Sequence, residues 1–285
     1  MRPIFLFSII FFILFSCKKE LDTKVCVSPK LCFNCILNPD SLVKGRLNLS
    51  QSISENKSFT KINNAIIELT KDGVFIGLMK NTGDGIYSME YKPITGSQYD
   101  IQIRAKGYPE LNASTIMPSK PNVGYQLSNP IVHGTSFNSF TSYTIEKRIT
   151  DKPGINRYWH YRLRLDPTNI WRFAGGSYNV DSPLIDDFNK VIDATDKLGF
   201  HYEYYLRIND TGKDGQILTF DDIAYKNEIN FFMDTDEHYD KYLKSTIKQK
   251  MNENNLLFNE PVQIYTNIEN GLGIFGSAAI TSFKL

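Results

Sequence analysis

The stretch Tyr99-Asp100-Ile101-Gln102-Ile103-Arg104-Ala105-Lys106 alternates apolar and polar side chains. Because successive side chains of a strand point to opposite faces, this alternation predicts a half-buried strand. On both sides of it, residues 42–118 contain further short alternating runs separated by turns. Residues 65–70 and 74–79 flank Lys71-Asp72-Gly73 and predict a hairpin, because Asp-Gly favours a tight turn between strands. The pattern predicts a mainly β, antiparallel fold.

Three short segments of this region also resemble a known type of module. Gly85-Ile86-Tyr87, Gly96 to Tyr99 and Lys106-Gly107-Tyr108 follow one another as in immunoglobulin-like or carboxypeptidase-regulatory-like domains. The resemblance implies a β-sandwich domain over residues 41–120. A fold of this kind serves many purposes, so it does not by itself indicate a function.

The second half of the chain predicts another β-rich domain. Residues 121–150 contain Pro121 and Pro130 and are expected to form a linker or connecting segment. Residues 151–285 are expected to form a C-terminal β-rich domain with one or two short helices. The segment from Asp234 to about Lys250 predicts a helix capped by Asp234, and residues 186–198 predict either a weaker helix or a loop.

Composition excludes several classes of protein. The chain has 285 residues, of which 41% are hydrophobic, so it is neither disordered nor a polytopic membrane protein. It carries 32 Lys and Arg against 31 Asp and Glu, a formal net charge of +1. Nucleic-acid binders need a basic surface that releases counterions from phosphate, so we expect no nucleic-acid partner.

The N-terminus has the pattern of a signal peptide. The apolar run from Ile4 to Phe15 follows Arg2 and is too short to span a bilayer as a helix. Its end, Leu14-Phe15-Ser16-Cys17, resembles a bacterial lipobox. The resemblance implies cleavage after residue 16 and attachment of fatty acyl chains to Cys17, so that residues 1–16 are a lipoprotein signal peptide. The alternative is an ordinary secretory signal with a free Cys17.

Residues 17–40 are then the lipidated cysteine and a polar, turn-rich tether. Two or more acyl chains hold a protein stably on a bilayer. Lys18 follows the cysteine where lipoproteins retained at the inner membrane often carry Asp, which favours the outer membrane. The sequence leaves open whether the body faces the periplasm or the cell surface.

Three further cysteines, Cys26, Cys32 and Cys35, lie close to this tether. An oxidising compartment makes a disulfide plausible, although an odd number leaves one thiol over. Cys32-Phe33-Asn34-Cys35 has the spacing of a redox or zinc motif, but it lacks the strand-to-helix context of the first and a nearby His for the second. We expect a structural disulfide or incidental cysteines.

The C-terminal segment 260–276 reads EPVQIYTNIENGLGIFG. It resembles the closing signature of the domain of unknown function 4249 family, whose members are lipoproteins of Gram-negative bacteria. The resemblance implies an accessory protein that works with a TonB-dependent outer-membrane transporter, and it supplies no catalytic residue. Taken physically, the segment predicts a strand from Pro261, a turn at Asn270-Gly271 and a return strand to Phe283. Gly273 and Gly276 would allow close approach of another backbone.

Few residues suggest chemistry. Asp210, Asp214 and Asp221 have part of the spacing of a calcium loop, but position 3 is Gly212, so a polar turn is the better interpretation. Aromatic side chains that would bind a sugar or peptide are Trp159, Tyr161, Trp171 and Tyr204, with core packing as the alternative. The four histidines, which we expect to be solvated, are His133, His160, His201 and His238. The sequence contains no G-x-S-x-G, H-E-x-x-H or phosphate-binding glycine loop.

These observations favour a non-catalytic binding or accessory lipoprotein of the outer membrane that needs no cofactor. Its partners would be the lipid bilayer, through acylated Cys17, and a TonB-dependent transporter. Two alternatives stay open: a surface hydrolase acting on glycan or peptide, and a purely structural or adhesive envelope protein. A hydrolase would need a cleft with convergent carboxylates of shifted pKa.

Overall fold

A computed structural model describes residues 28–52, 58–135, 138–165, 171–173, 184–186, 191–192, 198–199, 205–253 and 262–285. Within these residues the protein is mainly β, with one α-helix, as the sequence predicts. In chain order the strands are β1 (Leu31–Leu37), β2 (Val43–Leu49), β3 (Ile66–Lys71), β4 (Val74–Leu78), β5 (Lys80–Gly83), β6 (Ile86–Met89), β7 (Gln98–Arg104), β8 (Leu111–Ile116), β9 (Asn122–Leu127), β10 (Ile131–Thr135), β11 (Asn138–Thr150), β12 (Tyr158–Leu165), β13 (Trp171–Phe173), β14 (Val191–Ile192), β15 (Leu198–Gly199), β16 (Tyr205–Ile208), β17 (Ile217–Tyr225), β18 (Glu228–Thr235) and β19 (Leu272–Lys284). The helix, α1 (Glu237–Glu253), lies between β18 and β19.

The strands form several sheets. The largest has the order β13-β12-β18-β19-β1-β2-β6-β5, with β16 also paired to β12. A four-stranded sheet has the order β4-β3-β7-β8. In another, β11 pairs with β17 on one side and with β9 and β10 on the other. β14 and β15 form a two-stranded ladder, so the described part of residues 186–198 includes strands where a helix or a loop was expected.

The first core lies between the large sheet and the β4-β3-β7-β8 sheet. Phe33 and Leu47 enter it from the large sheet, and Ile67, Tyr99 and Ile101 from the other. Tyr99, Ile101, Ile103 and Ala105 are all buried while their polar neighbours are not, which confirms the alternation predicted for β7. Apolar side chains from two sheets therefore share one interior.

The predicted hairpin is present as β3 and β4. Its turn residues Asp72 and Gly73 have φ angles of 49° and 76°. Both values lie in the left-handed region that a tight two-residue hairpin turn requires, which is why Asp-Gly is favoured there.

The last strand joins the two halves of the chain. The first part of β19 runs parallel to β1, from Cys32 opposite Leu272 to Leu37 opposite Ser277. From Ala278, opposite Thr235, β19 pairs antiparallel with β18 instead. The predicted C-terminal hairpin is therefore wrong, because both neighbours of β19 come from distant parts of the chain and residues 262–268 form no strand. The side chain of Asn267 bonds the backbone of β19 at Phe275. Its amide N–H donates to the carbonyl of Phe275, and its Oδ1 accepts the backbone N–H of the same residue.

Residues 121–150, expected to form a linker or connecting segment, contain strands β9, β10 and β11. With β17 they make a sheet that covers one face of β12 and β18. Ile149 and Phe220 from this sheet pack with Tyr158, Leu206 and Phe232 from the large one. This sheet therefore encloses the polar face of β12, on which His160 is fully buried.

Helix α1 begins at Glu237, so its cap lies two residues after the proposed cap Asp234. The cap is Asp236, whose Oδ1 accepts the backbone N–H of Tyr239 at 2.9 Å; Asp234 belongs to β18. The helix packs closely on β19, since a Cβ on Gly276 would lie 2.9 Å from the Cβ of Tyr239. In the described part of the chain, no helix has the length and apolar character needed to cross a membrane.

Cys32 and Cys35 are both free thiols on β1. They are three residues apart, so they lie on opposite faces of the strand and cannot form a disulfide with each other or act as a redox pair. Cys35 belongs to the first core, where burial raises the pKa of its thiol to about 12. Burial also raises the pKa of Cys32. Cys17 and Cys26 lie outside the described residues.

We expect Cys35 to resist alkylation in the folded protein. In a Cys26→Ser, Cys32→Ser variant treated with iodoacetamide at neutral pH, Cys35 should react at least about a hundredfold more slowly than in urea, because the thiolate is the nucleophile. Peptide mass spectrometry would measure the rate. Equal rates with and without urea, or a Cys32–Cys35 disulfide in the unmodified protein, would contradict this arrangement.

Candidate functional site

A cleft of about 620 Å³ lies where the two halves of the chain meet. Its walls come from the segment before β7 (95–98), the end of β8 and the chain after it (114–119), the segment before β12 (155–157), and the junction of β18 with α1 (234–238). Volumes of this size suit small-molecule ligands. The cleft exists because β19 and Asp236 bring the end of β8 next to the start of α1.

Asp236 holds these elements together. Its Oδ1 accepts the N–H groups of Tyr239 and Ser277, and its Oδ2 accepts the hydroxyl of Thr115 at 2.9 Å and the N–H of His238 at 3.3 Å. The Thr115 hydroxyl also lies 2.9 Å from the Oγ of Ser277. Burial raises the pKa of Asp236, and the bonds from Ser277, Tyr239 and Thr115 oppose that shift. With both oxygens used by the protein, Asp236 is a structural residue of the cleft.

Asp234 is the less satisfied acid. It is only 3% exposed, and its Oδ1 accepts the N–H of Arg157 at 3.0 Å. Its Oδ2 accepts no hydrogen bond from the residues that the structure describes. Burial raises its pKa to about 6, with the Arg157 N–H and the charge of Lys152 acting in the opposite direction. The group is thus an ionised carboxylate above pH 6 with one oxygen available to a ligand.

The mouth of the cleft is partly apolar. Ile116 and Ile155 are 59% and 80% exposed. Next to them, Arg157 lies 3.6 Å from Glu237, which also pairs with Lys241 on α1. The site therefore combines two buried acids, Asp234 and Asp236, with two exposed aliphatic side chains at its mouth, Ile116 and Ile155.

A second cluster of charged residues lies between β11 and β17 on one side and β12 and β18 on the other. The Nζ of Lys147 donates to Oδ2 of Asp222 at 2.6 Å and lies 3.2 Å from Nε2 of His160. That nitrogen is also 3.0 Å from Oδ1 of Asn230, and Arg162 lies 3.5 Å from Asp222. Lys147 and His160 are fully buried, which shows that the expectation of a solvated His160 is wrong.

Titration in this cluster is governed by burial. Burial lowers the pKa of Lys147 to about 8, although the charge of Asp222 opposes the shift. Burial, together with the cations Lys147 and Arg162, lowers the pKa of His160 well below its usual value, so the imidazole is neutral. The central groups are enclosed, so we interpret the cluster as a polar connection between two sheets.

Trp159 and Tyr161, two of the aromatic residues predicted to bind a ligand, do not line the cleft. Trp159 has no exposed surface, and its indole N–H donates to Asp240 at 2.9 Å, so no face of its ring is open. Tyr161 is half-buried and stacks on Phe231 with ring centres 4.7 Å apart. Trp171 is described only as part of β13, where its backbone pairs with Leu165. Tyr204 lies outside the described residues.

The three aspartates with calcium-loop spacing are not brought together. Asp210 is in a turn, where its Oδ2 accepts the N–H of Asn156, and Asp214 is exposed in the next turn. Asp221, which would be position 12 of the calcium loop, lies within β17, opposite Glu146. The chain at this position is therefore a strand and not a loop. Among the described side chains, no group of three or more His, Cys, Asp or Glu is arranged to hold a metal ion.

The sequence pattern predicts a helix from Asp234 but does not indicate the cleft. The sequence feature that could have indicated the cleft is the pair of acids at the end of an apolar strand, Asp234 and Asp236. Their partners Thr115 and Arg157 are distant along the chain, and no local pattern indicates that they meet.

The chain matches a known family. Residues 18–284 match the model of a domain of unknown function, DUF4249. No match to the chain was found among curated protein sequences. Since the matched range covers nearly the whole chain, this protein belongs to the DUF4249 family.

Proposed function

We propose that this protein is a lipoprotein of the outer membrane, anchored through acylated Cys17, and that its body is a non-catalytic binding subunit of a TonB-dependent transporter. The N-terminal pattern, Leu14-Phe15-Ser16-Cys17, supports the anchor. We further propose that residues 41–120 form an immunoglobulin-like or carboxypeptidase-regulatory-like sandwich and that residues 151–285 form a second domain.

The position of the cleft relative to the tether fits this role. Residues 18–30 precede β1, and an extended chain of that length reaches at most about 45 Å. β1 starts at Leu31, and its far end, Leu37, is level with Ser277, which bonds the cleft residues Thr115 and Asp236. The cleft is therefore about 20 Å along the sheet from the point where the tether enters. A tethered body would hold this cleft at high effective concentration beside a neighbouring transporter.

One observation favours binding over hydrolysis. Both oxygens of Asp236 are occupied by the protein's own donors, and Glu237 is paired with Arg157 and Lys241, so both acids beside Asp234 in the cleft already have partners. Glycosidase chemistry needs two carboxyl groups on either side of the bond that is cut. A single open carboxylate can still hold and orient a ligand.

Co-purification tests the proposed role. Membranes of the native host would be treated with a short photo-activated crosslinker and dissolved in mild detergent. A TonB-dependent transporter should then co-purify with the affinity-tagged protein, and mass spectrometry would identify it. A Cys17→Ala variant expressed at the same level is the control and should recover much less of it. Recovery of the lipoprotein alone after crosslinking would contradict the accessory role.

The raised pKa of Asp234 supports a hydrolase as the second candidate, because a general acid needs a pKa near the working pH. Asp234→Asn would then abolish turnover of a peptide or glycan substrate. Full retention of turnover in that variant would show that Asp234 takes no part in catalysis.

A further inference from the structure

The open oxygen of Asp234 indicates what the cleft binds. This carboxylate is almost completely buried and accepts a single hydrogen bond, from the N–H of Arg157, among the described residues. A buried ionised carboxylate is costly unless a donor or a cation satisfies it. A ligand that places a hydrogen-bond donor or a cation at Oδ2 would offset the cost of burying this carboxylate.

The charges that face Asp234 leave the cleft acidic. The cations are Arg157 and Lys152, which lie in the segment before β12, and the other acids are Asp210 from the turn before β17, and Asp236 and Glu237 at the start of α1. The other titratable groups near Asp234 are the phenol of Tyr158 and the ring of His238. Both cations have other partners: Lys152 donates to Ser119 and to the carbonyl of Lys120, and Arg157 pairs with Glu237.

The residues at the mouth of the cleft suit an aliphatic ligand better than a sugar. Apart from the imidazole of His238, none of the described lining residues is aromatic. Sugar sites generally stack the ligand on an aromatic ring, whereas Ile116 and Ile155 offer exposed aliphatic surface that packs well against methylene groups.

We propose that the cleft binds an organic cation on an aliphatic stem, with the cation at Oδ2 of Asp234 and the stem against Ile116 and Ile155. The side chain of Lys or Arg in a peptide has this chemistry, and so does a free polyamine. The inference rests on the proposed binding function and names the ligand class of the same cleft.

Calorimetric titration of the full mature chain in detergent micelles tests the proposal. The probes are N-acetyl-Ala-Lys-Ala-amide, the same peptide with norleucine in place of lysine, and spermidine. The lysine peptide or spermidine should bind, and the one that binds more tightly identifies the source of the cation. The norleucine peptide keeps the stem without the charge and should bind at least about tenfold more weakly.

Asp234→Asn keeps an acceptor for the Arg157 N–H while removing the charge, so the variant should fold. It should bind the cationic probe about tenfold more weakly, whereas Asp221→Asn, the matched change at an exposed site, should bind like wild type. Binding to wild type should also weaken as the pH falls through about 6, where Asp234 takes up a proton. Asp234→Asn should lose this dependence.

Three results would overturn the inference: equal affinity for the lysine and norleucine peptides, wild-type affinity in Asp234→Asn, or no binding of either cation at about 10 mM. Equal binding of the two peptides would still leave the cleft as a binding site, so the ligand class would fail while the proposed function stands. Co-purification with a transporter does not depend on the probes and reports on the proposed function separately.

Discussion

Replacement of Asp222 by alanine is expected to lower the free energy of unfolding by about 4 kcal/mol. The change removes the carboxylate 2.6 Å from the Nζ of Lys147 and leaves that cation fully buried beside His160 and Arg162. Breaking a buried ion pair from one side is costly because the remaining charge keeps its desolvation penalty. Urea denaturation followed by circular dichroism at pH 7 measures the loss.

The pH dependence of that loss gives a further check. The pKa of Lys147 is about 8 in the folded protein, below its usual value, so the folded state binds this proton less well than the unfolded state. Stability from this group therefore rises as the pH goes from about 8 to about 10.5. In Asp222→Ala the lysine can become neutral at pH 9, and the loss should be smaller there than at pH 7.

Glu146→Ala is the matched control for Asp222→Ala. Glu146 lies next to Lys147 on β11, but it is half-exposed and pairs only with Arg148 among the ion pairs in the described residues. Surface pairs of this kind contribute about 0–1 kcal/mol. A loss below about 1 kcal/mol in Asp222→Ala, equal to that of the control, would show that Lys147 is not held as a buried cation.

Asp236→Ala is expected to destabilise the protein by about 3 kcal/mol. The variant loses the cap of α1 and leaves the buried N–H of Ser277 without its acceptor. It also removes the link between Thr115 on β8 and the start of the helix. Thermal and urea denaturation would measure this loss, and limited proteolysis near residue 237 would locate it.

Asp236→Asn separates the cap from the charge. Asparagine is a good N-cap and keeps an oxygen for Tyr239 and Ser277, so its cost should be about 1 kcal/mol. Asp221→Ala, at an exposed position in β17, should change stability by less than about 0.5 kcal/mol. An Asp236→Ala variant as stable as Asp221→Ala would contradict the role assigned to this residue.

Local patterns in the sequence predicted local structure. The alternation in Tyr99 to Ala105 specifies which face of β7 is buried, and Asp72-Gly73 specifies a turn, because each depends only on neighbouring residues. Neither pattern specifies which strand pairs with which. The parallel pairing of Cys32 with Leu272 joins opposite ends of the chain, so β19 was predicted as a strand with the wrong partner.

His160 shows the same limit for the candidate site. Alternation put His160 on the polar face of β12, which is correct, but a polar face is solvated only if nothing covers it. Here β11 and β17 cover it and supply Lys147 and Asp222 as polar partners. The cleft is also formed by long-range contacts, between Asp236 and Thr115 and between Asp234 and Arg157.

The proposed acyl anchor at Cys17, on which the proposed function depends, can be tested by membrane fractionation of the wild type and Cys17→Ala. Wild-type protein should sediment with outer membranes, and mass spectrometry should find diacylglycerol and an acyl chain on its N-terminal peptide. Cys17→Ala should leave the membrane fraction almost completely, because without acyl chains the body has no comparable affinity for lipid. Cys17→Ala protein that sediments with outer membranes to the same extent as wild type would contradict the account.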